Sequence, residues 1–177
     1  MFLNFSKSRL FAIPAAFSLI LGGCNLREFA SADGTKLTIP LKSIIGGGVE
    51  GTVFTVVDDN DPGWTYSPEF YSYAWDAEFD GTAHGCEAAR GTAEYTFDGT
   101  GLELWGWKGP KGGTLEVVLD GGSRGALDLF NADEEVHQTK LFAVSGLTRG
   151  LHTVKFVSIS EKFIMLDELR IEHEIRL

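Results

Sequence analysis

Three consecutive segments decide the fold: Ala93-Glu94-Tyr95-Thr96-Phe97-Asp98-Gly99, Leu102-Glu103-Leu104-Trp105-Gly106-Trp107 and Leu115-Glu116-Val117-Val118-Leu119-Asp120-Gly121-Gly122. Ala93, Tyr95 and Phe97 alternate with polar residues, and Leu115, Val117 and Leu119 recur at the same spacing with Glu116 and Val118 between them. A period of two is the mark of a strand with one buried face. Each segment stops at a turn: Asp98-Gly99, Gly109-Pro110-Lys111-Gly112-Gly113 and Asp120-Gly121-Gly122. An Asp-Gly pair between alternating runs is a hairpin signal, and the return strand carries Leu127 and Leu129.

Outward from this centre the pattern persists. Val53 to Val57 is β-branched and ends in the acidic turn Asp58-Asp59-Asn60-Asp61-Pro62-Gly63. Tyr71, Tyr73 and Trp75 alternate with Ser72 and Ala74. Gln138 to Val144, Leu151 to Ile159 and Phe163 to Glu172 supply the remaining runs, and only Asn131 to His137 has room for a helical turn. About nine short strands with glycine turns predict an all-β, antiparallel sandwich over residues 49–177. No internal repeat is evident.

The chain of 177 residues has room for one domain, and a charged fraction of 23% beside 44% hydrophobic residues is that of a globular protein. Its beginning is different. Lys7 and Arg9 precede an apolar run from Leu10 to Leu21, followed by Gly22-Gly23-Cys24. This layout is a signal peptide, too short to span a bilayer. Its end resembles the bacterial lipoprotein box, which implies cleavage after residue 23, lipidation of Cys24 and, with Asn25 next, delivery to the outer membrane of a bacterial envelope. Residues 25–48 read as a tether: Pro40 weakens the apolar run from Leu37 to Ile45, and Gly46-Gly47-Gly48 makes a joint.

The net charge of −10, more acidic still without Lys7 and Arg9, excludes nucleic acid as a partner and leaves membrane attachment to the lipid on Cys24. With Cys24 lipidated, Cys86 has no disulfide partner and is expected to be buried as a small hydrophobe.

All four tryptophans and all four tyrosines lie between Trp64 and Lys111, whereas the thirteen phenylalanines are spread along the chain like core filler. Trp and Tyr join a flat apolar body to a polar tip and suit a half-wet stacking surface. Their faces can be read from phase. Leu102 and Leu104 share one side of their strand, while Glu103, Trp105 and Trp107 share the other. With the leucines inward the tryptophans form an outward platform beside a carboxylate, a surface suited to sugar. With the tryptophans inward more apolar area is buried and the leucines are exposed. Both assignments stay open, and part of the Tyr71–Trp75 row is expected to be buried because Ser72 and Ala74 make a poor core face.

Asp167 shares phase with Phe163, Met165, Leu169 and Ile171, so it points where apolar residues point. A buried carboxylate must be hydrogen-bonded, paired or bound to metal. If the first and last strands pair, Asp58, Asp59 and Asp61 can join Asp167 around a structural Ca²⁺, a hard cation that takes 6–8 oxygens. The same acidic run is also ordinary turn chemistry. No nucleophile elbow, metalloprotease helix or phosphate loop is present, so no catalytic residue is assigned and the chain is expected not to be an enzyme.

Several segments in order resemble a family of bacterial surface modules with the galactose-binding-like jelly-roll fold. They are Val57-Asp58-Asp59-Asn60-Asp61-Pro62, Thr65-Tyr66-Ser67, Gly81-Thr82-Ala83-His84, Ala93 to Phe97, Gly99-Thr100-Gly101, Gly106 to Pro110, Leu119-Asp120-Gly121, Leu127-Asp128-Leu129, Gly146-Leu147, Gly150 to Val154 and Leu166-Asp167. The resemblance implies a non-catalytic domain, often attached to glycan-active enzymes, that binds carbohydrate through loops at one end of the sandwich. Carried onto this chain, that site is Trp64, Tyr66, Tyr71, His84, Trp107 and Lys108. The same aromatics would also anchor a cell-envelope protein partner, or serve entirely as core.

Overall fold

The computed structural model describes residues 26–30, 36–40 and 50–176, with side chains over 51–174. The signal peptide and Cys24 lie outside the described residues. Within the expected tether, β1 (Leu26–Ala30) and β2 (Lys36–Pro40) pair as an antiparallel hairpin.

The remaining strands are β3 (Glu50–Asp58), β4 (Thr65–Tyr66), β5 (Phe70–Ala74), β6 (Thr82–Cys86), β7 (Thr92–Gly99), β8 (Gly101–Lys108), β9 (Thr114–Leu119), β10 (Gly122–Asp128), β11 (Val136–Val144), β12 (Gly150–Ser158) and β13 (Ile164–Arg176). They form a jelly-roll β-sandwich of two antiparallel sheets. One sheet runs β10-β9-β12-β7-β4; the other runs β11-β8-β13-β6-β5, with β3 also on β13. The nine expected strands become eleven because β4 and β6 were read as loops. Thr82-Ala83-His84-Gly85-Cys86 has small residues and no alternation of apolar side chains, so its strand character comes from pairing with β5 and β13. Asn131 to His137 holds no helix; β11 begins at Val136, and the described residues contain one short 3₁₀ turn at Phe79–Gly81. No helix among them is long and apolar enough to cross a membrane.

The core lies between the sheets. Phe97, Leu115, Val117, Leu119, Val154 and Phe156 meet Leu102, Leu104, Ile164, Leu166, Leu169 and Ile171, all buried. Full burial of one such side chain contributes about 1.5–3 kcal/mol before the entropy of ordering is subtracted. The expected hairpin turn forms at Asp120 and Gly121, both with positive φ, as a two-residue turn matched to strand twist requires.

The thirteen-residue β13 is the spine of its sheet. One edge pairs β8 from Leu166 to Glu172; the other pairs β6 over Ile164–Leu166 and β3 from Glu168 onward. The register on β8 slips between Leu166 and Glu168, so Asp167 is the extra residue of a bulge at the change of partners. The slip explains a wrong phase. Leu166 and Leu169 both face the core although three residues apart, so Asp167 and Glu168 fall together on the opposite side.

Candidate functional site

The loop between β3 and β4 draws most of the predicted residues into one cluster. Buried Asp59 accepts from Thr82 Oγ1 at 2.8 Å, and its other oxygen meets His84 Nδ1 at 2.6 Å. The Tyr66 ring stacks on the His84 ring with centroids 4.0 Å apart, and its hydroxyl donates to the Asp59 carbonyl at 2.9 Å. Trp64 stacks on Tyr66 at 5.3 Å and donates Nε1–H to the Asp58 carbonyl at 3.0 Å. Tyr95 leans on Trp64 and donates its hydroxyl to Asp61 Oδ1 at 3.2 Å.

Burial, reinforced by the Asp59 charge, raises Asp58 to about 6. Burial and then the charges of Asp59, Asp58 and Asp61 drive the Tyr66 phenol far above its ordinary value; burial and then Asp61 push Tyr95 up to about 12. These shifts describe a closed, neutral-phenol environment. The polar tips are spent inside the cluster, and Trp64 is only 9% exposed. The carbohydrate-binding loop expected at Trp64, Tyr66 and His84 has these side chains turned to another use: they pin the loop to the sheets.

The ligand set expected for Ca²⁺ is not brought together. β3 and β13 do pair, with Asp58 opposite Glu168. However, Asp59 and Asp61 bond the cluster just described, while the bulge carries Asp167 to another set of partners, where Oδ1 accepts the Phe79 N–H at 2.9 Å. The four carboxylates do not fit one cation. Among the described residues, no group of three or more His, Cys, Asp or Glu side chains is arranged to hold a metal ion.

The second aromatic region lies on the outer face of the six-stranded sheet. Neither assignment of β8 was complete. Leu102 and Leu104 do face the core, yet Trp107 is only 2% exposed, because its own face is covered too: it packs with Ala83, Met165 and Phe163 in a second cluster. Trp105 is half-buried under the Arg170 guanidinium, 3.8 Å from its ring, and donates Nε1–H to Glu103 at 2.9 Å. Lys108 ends β8 half-buried opposite Val136.

From Trp107 the aromatics continue as a row. Phe163 meets Trp107 edge-on at 5.2 Å, Tyr73 meets Phe163 edge-on at 5.7 Å, and Tyr71 meets Tyr73 at 4.5 Å. Gly85 lies beneath Tyr73, where a Cβ would strike the ring. Exposure rises along the row to 42% at Tyr71, and the partial burial expected there holds for Tyr73. Beside Phe163 an open cleft of about 440 Å³ is lined by Glu87, Lys111, Glu161 and Lys162. Phe163, Tyr73, Lys111 and Lys162 escaped the sequence reading of the site: Phe163 sat among dispersed phenylalanines, and the lysines in turns. Cys86 is buried as expected; its Sγ–H donates to the Ala88 carbonyl, and burial raises the thiol.

With this architecture in view, comparison with solved structures finds a family 35 carbohydrate binding module from Clostridium thermocellum at TM-score 0.52 and 16% identity, covering 66% of this chain and 98% of the module. The fold is the β-sandwich of carbohydrate-binding modules. An exo-beta-1,3-galactanase from Phanerochaete chrysosporium, solved with beta-1,3-galactotriose, shares the module-like fold at TM-score 0.50 and 16% identity, over 67% of this chain and 29% of that one. Among curated proteins, the A type blood N-acetyl-alpha-D-galactosamine deacetylase of Flavonifractor plautii is 28% identical over 139 residues, 78% of this chain and 18% of the relative. The chain thus spans about a fifth of that relative's length. No family model matches. The expectation that the chain is not an enzyme is corrected by the curated relative, which is named as a deacetylase and of which this chain spans 18%. A search for short motifs sees only catalytic groups close in sequence, whereas catalytic groups brought together by folding leave no such signature.

Proposed function

We propose that the sandwich binds a carbohydrate on the outer aromatic row, and that lipid on Cys24 holds it in the outer membrane of a bacterial envelope. The observation that carries the first part is the row Tyr71–Tyr73–Phe163 ending at an open cleft with two lysines and two glutamates. Sugar C–H faces stack on such rings, while hydroxyls take hydrogen bonds from ammonium groups and give them to carboxylates. The lining balances two positive against two negative side chains, which favours a neutral, hydroxyl-rich ligand over a strongly anionic one. The fold likeness and the sugars named for the two enzymes support the same class.

The test is calorimetric titration with a glycan panel that includes N-acetylgalactosamine-terminated and β-1,3-galactan oligosaccharides. Saturable heat is expected, and Phe163→Ala and Tyr73→Ala should each weaken affinity at least tenfold, about 1.4 kcal/mol. No heat with any glycan, together with an envelope protein recovered by crosslinking through Tyr71, would replace the glycan with a protein partner. For the anchor, Cys24→Ser should move the protein from the membrane to the soluble fraction; unchanged retention refutes lipidation at that residue.

A further inference from the structure

The tip of the β5–β6 hairpin, residues 75–81, carries Glu78 to the bulge in β13, where it meets Asp167 on the outer face of the sheet. Glu78 and Asp167 are 3% and 1% exposed. One oxygen of each is satisfied: Asp167 Oδ1 accepts the Phe79 N–H, and Glu78 Oε1 meets His137 Nδ1 from β11. The other two, Asp167 Oδ2 and Glu78 Oε2, are buried and have no donor. Two ionised carboxylates can only accept, so side by side and dry they leave both oxygens unsatisfied and repel each other. One proton removes both costs, because it turns one oxygen into a donor to the other.

We propose that Asp167 and Glu78 hold a single proton between them, and that this proton clasps the hairpin tip, and with it the strand bearing Tyr71 and Tyr73, onto the sheet. Loss of the proton to hydroxide in alkaline solution releases the tip. The clasp stands on these contacts alone; its consequence for ligand binding rests on the glycan reading above. The groups facing the pair are few. Glu168, next along β13, adds negative charge, although Arg170 Nε at 2.6 Å and Nη2 at 2.5 Å hold its Oε1; Glu135 stands 4.0 Å beyond His137. The remaining backbone hydrogen bonds of the tip are internal, Trp75 N–H to the Gly81 carbonyl and Glu78 N–H to the Trp75 carbonyl, and its one further ring contact with the sheet is Trp75 on His137 of β11, centroids 4.9 Å apart.

Burial first, and the Glu78 charge second, raise Asp167 from 3.8 to about 8. A carboxyl whose folded value is raised contributes stability that is complete below its unfolded value and lost as pH climbs through the folded one. Asp58 behaves alike but only up to about 6, and His152, raised by its hydrogen bond to Asp120, also loses its contribution above its ordinary value, so the share of the decline between about pH 6 and 8 that belongs to Asp167 is the part its variants remove.

Thermal melts and amide exchange on the full chain across that window test the clasp. The wild-type Tm should fall between about pH 6 and 8. Asp167→Asn and Glu78→Gln each place an N–H where the proton sat, so both should show a shallower fall in Tm there and exceed wild type at the alkaline end. Exchange of the Phe79 amide should accelerate in wild type beyond the base-catalysed rise of other amides, and not in Asp167→Asn. If Asp167→Asn does not fold, Glu78→Gln carries the melt, and infrared absorption of a protonated carboxyl in wild type at neutral pH reads the proton directly. Parallel profiles for wild type and Glu78→Gln, or no such absorption, overturn the proposal. A wild-type Tm raised in alkali by millimolar Ca²⁺ or Mg²⁺, but not in the variants, overturns it in favour of a bound cation. A present clasp without any glycan binding sinks only the glycan reading; glycan binding unchanged by a flat wild-type profile sinks only the clasp.

Discussion

The two aromatic regions use the same residue types to opposite ends. Around Trp64, Tyr66 and Tyr95 the polar tips all end on backbone carbonyls or carboxylates of the Asp58–Asp61 loop, and the ring of His84 completes the stack. Along Tyr71, Tyr73, Phe163 and Trp107 the rings meet one another tilted or edge to face, and the row opens to solvent beside a charged cleft. Both regions are dense in rings, so ring density does not separate support from recognition. What separates them is where the hydrogen bonds end: in a buried loop network at Trp64, Tyr66 and Tyr95, or beside solvent, as between Tyr73 and Tyr71. A closed network rigidifies a loop. An open row beside exposed polar groups is able to take a ligand.

The largest expected effects break this contrast from the closed side. His84→Ala leaves the buried Asp59 carboxylate without its imidazole and should cost about 3–5 kcal/mol of stability, read by denaturant melts. Trp107→Ala should cost about the same by opening a cavity in the outer cluster, which would show that the buried end of the open row is structural. A smaller effect sharpens the contrast: Tyr66→Phe keeps the ring stack but loses one hydrogen bond, about 1 kcal/mol. Asp58→Asn should flatten the decline of stability between about pH 4 and 6, because the raised Asp58 contributes stability that is lost as pH climbs to about 6. Tyr71→Ala is the smallest for folding, within about 0.5 kcal/mol, while glycan affinity falls. A Tyr71→Ala protein that melts early yet binds normally would collapse the distinction between the two regions.

Much of the fold was legible, and the reasons are local. Leu115, Val117 and Leu119 alternate because one face of β9 is buried, and Asp120-Gly121 turns because both residues can adopt positive φ. β6 was not legible, since Gly85 and Ala83 are small to admit Tyr73 and Trp107 from other strands. The candidate site was legible only at Tyr71. Trp64, Tyr66, His84 and Trp107 were chosen for their chemistry, which is the same whether a ring faces solvent or another ring. Asp167 was rightly expected to be buried and wrongly given neighbours, because one bulge residue reverses a phase count.

By itself, then, the sequence determined the strands, the hairpin turn and the two-sheet class, because period-two burial and turn conformations are properties of a few adjacent residues. Only the tertiary structure decided which aromatics stayed open and where each carboxylate went, because those depend on strands distant in sequence covering or exposing the same face.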